Sequence, residues 1–234
     1  MNTDNVDAAE IEKFQALASR WWDTESEFKS LHDINPLRVS YIEEQCGGLS
    51  GKKVLDIGCG GGILAEAMAE HGAEVTGIDM AEQSLEIARM HLLESGLKVD
   101  YQQSTAEQFA LDHPHQFDVI TCLEMLEHVP DPASILQAAA GLVKADGCIV
   151  LSTLNRSVKS FALAIVAAEY IMNMLPRGTH EYEKFLKPSE LARAARQAAL
   201  EVRDITGMSY NPISRHYRLG RDVDVNYLMT CQPR

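Results

Sequence analysis

Short runs that are apolar throughout alternate with stretches of helical spacing along most of this chain. Residues 54–57, 75–78, 119–123 and 148–152 are rich in Val, Ile and Leu, and between them 63–71, 81–95 and 133–143 place apolar residues three and four apart. A strand with no polar alternation is buried on both faces, which requires helices on either side of a parallel sheet. The pattern therefore predicts an α/β fold with a doubly wound sheet. Past residue 200 the rhythm changes. Residues 201–205 and 223–230 read as two further strands with no convincing helix between them, which places them antiparallel at one sheet edge.

Two segments stand apart from this rhythm. Over residues 8–45, Phe14, Leu17, Ala18 and Trp21 keep helical spacing, and Pro36 is expected to open a second helix running through Tyr41. Residues 156–188 form a helical insertion between two strand signals. The expected organisation is one domain: a helical cap over 1–50, a core over 51–155, the insertion, and a last helix with edge strands over 189–234.

The chemistry concentrates in the turn Asp56-Ile57-Gly58-Cys59-Gly60-Gly61-Gly62, which joins the first core strand to the helix that follows. Glycines there let a ligand approach the backbone, and the helix start offers unpaired N–H groups. A dinucleotide fingerprint G-x-G-x-x-G would need a third glycine at position 63, which is Ile63. What remains is G-x-G-x-G preceded by Asp56. An acidic residue there repels a pyrophosphate but suits a cationic sulfonium or amino group. Asp79 ends the next strand, 21 residues beyond Gly58. At that place a carboxylate can accept both ribose hydroxyls, a helix cap being the alternative.

The motifs V-L-D-I-G-C-G-G-G, G-I-D and F-D-V-I-T-C-L-E resemble the class I S-adenosylmethionine-dependent methyltransferases over residues 52 to about 152. The resemblance implies a Rossmann-like sheet of seven strands with an antiparallel last strand, and S-adenosyl-L-methionine as cofactor. It puts Ala106 and Glu107 near the adenine and Leu123 on the cofactor pocket, beside Asp56, Gly58, Gly60 and Asp79. The flanking motifs R-W-W-D at 20–23, H-D-I-N-P-L-R at 32–38, S-T-L-N-R at 152–156 and Y-N-P-I at 210–213 resemble the O-methyltransferase family of ubiquinone biosynthesis. That likeness implies O-methylation of polyprenylated phenol substrates, 2-polyprenyl-6-hydroxyphenol and 3-demethylubiquinol, and association with other enzymes of the pathway. It also gives Arg38 a role at the cofactor's carboxylate, a group that a guanidinium binds in bidentate fashion.

Glu124, Glu127 and His128 follow the fourth core strand, at the sheet end where α/β ligands bind. On a helical turn they would share one face. Two chemistries are open: all three could ligate a divalent ion such as Mg²⁺, or His128 could act as base with Glu127 orienting it. Asp131 is expected to cap the next helix. Trp21 and Trp22 are expected to pack the N-terminal helix onto the core, or alternatively to cover the cofactor.

Charge and composition narrow the partners. The net charge is −13 with no basic run, which argues against nucleic acid, because phosphate binding needs a basic footprint. Five cysteines without a C-x-x-C pair suit a reducing compartment, and the acidic N-terminus lacks the features of a signal peptide, so a cytoplasmic location is expected. The apolar part of the insertion, residues 161–175, is too short to span a bilayer and contains Glu169. With Arg156, Lys159, Arg177, Lys184 and Lys187 around it, the stretch 159–187 is expected either to dock on anionic lipid at the inner face of the membrane and shape the prenyl channel, or to pack as a helix within the chain.

Overall fold

The computed structural model describes residues 5–160, 182–211 and 216–234. Eight strands form one sheet in the order β3-β2-β1-β4-β5-β8-β6-β7. β1 (Lys53–Ile57), β2 (Glu74–Asp79), β3 (Val99–Gln103), β4 (Phe117–Leu123) and β5 (Val143–Leu154) run parallel. β8 (Asn226–Pro233) lies antiparallel between β5 and β6 (Leu200–Asn211). The doubly wound architecture follows from the strand residues themselves, because neighbours in one strand enter different cores. Leu55, Ile120, Ile149 and Met229 pack with α5 (Ala106–Asp112), α6 (Pro132–Leu142) and α8 (Pro188–Gln197). Val54, Val119, Val150 and Leu228 pack on the other face with α2 (Lys29–Cys46), α3 (Ile63–Glu70) and α4 (Glu82–Ser95). This alternation between two buried faces is why the strands read as continuous apolar runs.

Two expectations need correction. The sheet has eight strands rather than seven, because β7 (His216–Gly220) lies in the segment read as a loop and closes a hairpin on β6. Its five residues are too few to stand out, and it is held by pairing, Tyr210 facing Tyr217 across the hairpin with ring centroids 4.7 Å apart. Gly207 is required on β6, where a Cβ would meet the Asp222 carbonyl oxygen at 1.8 Å. The second correction concerns Pro36, which lies inside α2 rather than at its start. Proline removes the N–H that would bond four residues back. Ile34, Val39, Tyr41 and Ile42, buried on the sheet, carry the helix through that gap.

The N-terminal region runs from α1 (Ala8–Leu17) through a single 3-10 turn at Ala18–Arg20 into α2. α7 is described over Val158–Ser160. The apolar stretch expected at 161–175 and part of the Y-N-P-I motif lie outside the described residues. Among the described residues no helix is long and apolar enough to cross a membrane.

Candidate active site

The glycine loop leaves the carboxyl end of β1 and is tied to β2. The N–H groups of Gly58 and Cys59 both donate to the Ile78 carbonyl, at 2.8 and 3.1 Å. Asp79 completes the tie, accepting from the Gly60 N–H at 2.9 Å and from the Ala81 N–H at 2.8 Å. It therefore braces the loop and the approach to α4 at once, with one oxygen for each task. Each oxygen keeps a second lone pair, which is what two ribose hydroxyls require. Burial pushes its pKa above the usual carboxylate value, against the pull of those backbone donors.

Asp56 is buried at the end of β1 and accepts from the Thr121 hydroxyl at 2.7 Å. Desolvation pushes its pKa up to about 7, so a cationic ligand group would find a carboxylate short of positive partners. Arg38, buried on α2, donates from Nη2 to Asn35 Oδ1 at 3.1 Å, while its buried Nε has no hydrogen-bond partner among the described residues. Burial lowers its pKa, opposed by the charges of Glu124 and Asp56. An orphaned guanidinium donor near an under-neutralised carboxylate complements an amino-acid tail with its carboxylate and its ammonium. The residues present therefore fit the methionine end of S-adenosyl-L-methionine.

The N-terminus of α5 reaches the same place, where Thr105 caps the helix by accepting from the Gln108 N–H at 3.1 Å. Ala106 is buried there. Glu107 Oε1 accepts from Ser134 at 2.6 Å and from Asn5 at 3.0 Å, and its buried Oε2 has no partner among the described residues. Arg38, Asp56, Gly58, Gly60, Asp79, Ala106, Glu107 and Leu123, together with Glu124, Glu127 and His128, all line one cavity of about 850 Å³. Residues scattered over ninety positions of sequence are thus brought to one place.

The 124–128 cluster is arranged differently from the helical turn expected of it. Glu124 takes a left-handed backbone, φ 55°, and only Leu126–His128 form a 3-10 turn, so the three side chains do not share a helix face. Glu124 accepts from Ser152 Oγ at 2.6 Å and from Asn226 Nδ2 at 3.0 Å. Glu127 accepts from Thr153 Oγ1 at 2.7 Å, and burial, helped by the charge of Glu124, pushes it up to about 7. His128 takes its hydrogen bond from another element. Its Nδ1 meets Glu10 Oε2 at 2.9 Å, and Phe14 packs edge-on to its ring at 5.1 Å. The partner that orients His128 is therefore Glu10 of α1, not Glu127. That hydrogen bond also holds the Glu10 carboxyl down at about 2. Among the described residues, no three His, Cys, Asp or Glu side chains are grouped to hold a metal ion.

The tryptophans pack the N-terminal segment against the glycine loop. Trp21 stacks on Phe28 at 3.9 Å, donates to Ser84 Oγ at 3.1 Å, and lies so close over the loop that a Cβ on Gly60 would meet its ring at 2.5 Å. Trp22 donates to the Gly61 carbonyl at 2.9 Å and stacks on His91, which in turn bonds Glu66 at 2.9 Å. Asp131 caps α6 as expected, accepting from the Ala133 N–H at 3.0 Å. Sequence reading missed Glu10 and Asn226. Glu10 shares a helix face with Phe14, four residues on, and that pairing was the available cue.

A Rossmann-like sheet with this glycine loop, a carboxylate at the end of β2 and a cavity suited to a charged nucleoside defines an S-adenosylmethionine-dependent methyltransferase. The family model described as a methyltransferase domain matches residues 37–205. The chain belongs to the ubiquinone biosynthesis O-methyltransferase family, being 64% identical to the protein of that name from Pseudomonas aeruginosa (strain LESB58) over 97% of this chain and 98% of that one. The protein of the same name from Marinobacter nauticus is 62% identical, with 98% of this chain and 97% of that one covered. Among solved structures, the magnesium protoporphyrin IX methyltransferase of Synechocystis with bound SAH has the same fold. The two superpose with a TM-score of 0.66 at 16% identity, covering 97% of this chain and 95% of that one.

Proposed function

We propose that the chain transfers a methyl group from S-adenosyl-L-methionine to a ring hydroxyl of polyprenylated intermediates of ubiquinone biosynthesis, 2-polyprenyl-6-hydroxyphenol and 3-demethylubiquinol. The observation that carries the chemistry is the His128–Glu10 pair at the wall of the cofactor cavity. With Nδ1–H donating to Glu10, the lone pair lies on Nε2, where His128 can take the proton of a phenolic hydroxyl. S-adenosyl-L-methionine supplies an electrophilic methyl on sulfur. Arg38 and Asp56 would hold its two tail charges, Asp79 its ribose and Glu107 its adenine, while Glu124 and His128 line the same cavity and would meet the acceptor. The oxygen attacks in line, the C–O bond forms, and the C–S electron pair stays on sulfur.

Mg²⁺ belongs to the same reading. Mg²⁺ is commonly held by one or two carboxylates together with substrate oxygens. Glu124 and Glu127 would supply the carboxylates, a catechol would supply the rest, and the bound ion would favour the phenolate. Contact with the membrane's inner face rests on the sequence of the insertion and its basic flanks, and lipid flotation of a variant lacking residues 161–181 tests it. Association with other enzymes of the pathway rests on the family likeness and is tested by co-purification.

The deciding assay follows labelled methyl from the cofactor to a short-chain demethylubiquinol. His128→Asn should bind SAH as the parent does but lose roughly 10²–10⁴-fold in kcat. An unchanged kcat removes His128 as base, and a parent protein that leaves the quinol unmethylated removes the acceptor. EDTA in the same assay should slow the parent and Mg²⁺ should restore it. Indifference to both takes the ion out of the reading.

A further inference from the structure

Asn226 has no part in the chemistry above, yet its side chain reaches the same cavity as Glu124. It opens β8, opposite Leu154 of β5 and Met208 of β6. The chain leading to it is fastened by buried Asn155, whose backbone N–H donates to the Val225 carbonyl at 2.8 Å and whose Nδ2 donates to the Val223 carbonyl at 2.9 Å. Asn226 Nδ2 lies 3.0 and 3.2 Å from the two oxygens of Glu124. A carboxylate can only accept, so chemistry fixes the amide: nitrogen toward Glu124, oxygen away from it. That Oδ1 is buried and, among the described residues, has no hydrogen-bond partner. Buried acceptors are nearly always satisfied, and an exception in a ligand cavity points to a donor brought by the ligand.

Glu124 is held with equal care. Its left-handed backbone is one that a non-glycine residue adopts at a cost, and functional sites are where such conformations collect. Ser152 Oγ both accepts from the Glu124 N–H, at 3.2 Å, and donates to its carboxylate, at 2.6 Å. The Glu124 carboxylate is thereby fixed, and through it the amide of Asn226, whose Oδ1 is the acceptor left unpaired among the described residues.

We propose that Asn226 is the subsite for the second of two adjacent ring hydroxyls: its Oδ1 receives the hydrogen of the hydroxyl beside the one that His128 deprotonates, and Glu124 holds the amide in that orientation. Asn226 is then a specificity residue: a ring with one hydroxyl leaves its oxygen unpaired, whereas a catechol satisfies it. This rests on the phenolic acceptor proposed above.

The test is calorimetric binding of a 4-alkylcatechol and the matching 4-alkylphenol to the SAH-loaded full chain. The parent should prefer the catechol by about tenfold or more, one missing hydrogen bond in a buried site being enough for that. Asn226→Leu and Asn226→Ser should hold SAH as the parent does while the preference falls towards unity. SAH affinity reports that each variant is folded, and Ser serves if Leu does not fold. Variants that bind SAH and keep the parent's preference overturn the proposal. Equal parent affinity for the two probes overturns it while leaving phenol methylation standing. A parent that binds neither probe overturns both.

Discussion

Asp56 shows how a single side chain can trade stability for ligand affinity. Its native pKa of about 7 lies above the ordinary 3.8, so the folded protein holds a proton that the unfolded chain releases between those values. Stability therefore declines as pH rises from about 4 to 7 and levels off above, where a buried carboxylate must be ionised. Asp56→Asn keeps an oxygen for the Thr121 hydroxyl and removes the charge. At pH 8 it should gain on the order of 2 kcal/mol, about 4–8 °C in Tm for a chain of this size. At pH 4 the gain should vanish, and S-adenosyl-L-methionine should bind more weakly. Calorimetric melts at both pH values, with and without cofactor, check each part. The role of Asp56 was legible in the sequence because its charge contradicts a pyrophosphate site. The backbone twist at Glu124 was not legible, since no spacing rule signals a left-handed glutamate.

Among the elements, α1 contributes most from least. None of its residues is fully buried, yet Glu10 orients His128 across 118 positions of sequence, and Lys184 reaches Glu10 and Asp7 on the same helix. The spacing of Glu10 and Phe14 marks a shared helix face but not the partner 118 positions away, so the sequence points to the adjacent Glu127 as the orienting group and gives no sign of Asn226. The strands were legible for the opposite reason, since burial on two faces writes itself into consecutive positions, 54–57 of β1, 119–123 of β4 and 147–154 of β5. The Glu10 carboxyl, held at about 2 against an ordinary 4.5, contributes stability that is complete above pH 4.5 and lost as pH falls toward 2. Glu10→Gln should therefore lower the Tm at pH 7 and leave it unchanged near pH 2. A shift of equal size at both would show that α1 is held by packing alone.

At the scale of the whole molecule, two halves of one sheet divide the work. The parallel half brings the glycine loop, Asp79 and α5 to the cavity, where the proposed reading puts the donor, while β8 and the β6–β7 hairpin extend the same cavity toward Met208, Tyr210, Tyr217 and Asn226. Donor chemistry was readable because it lies within consecutive β-α units. Acceptor chemistry was not, because it is assembled from α1, the 124–128 turn and the last strand. One consequence concerns observation rather than catalysis. Trp21 and Trp22 are the only two tryptophans in the chain, and both lie on the glycine loop. Nearly all the intrinsic emission excited at 295 nm (about the red edge of indole absorption) must then arise at the cofactor site. The unlabelled protein should report nucleoside binding by a saturable change in fluorescence, with Trp21→Phe and Trp22→Phe dividing the signal between the two rings. Emission indifferent to saturating SAH would mean that the donor binds without disturbing the segment that covers the loop.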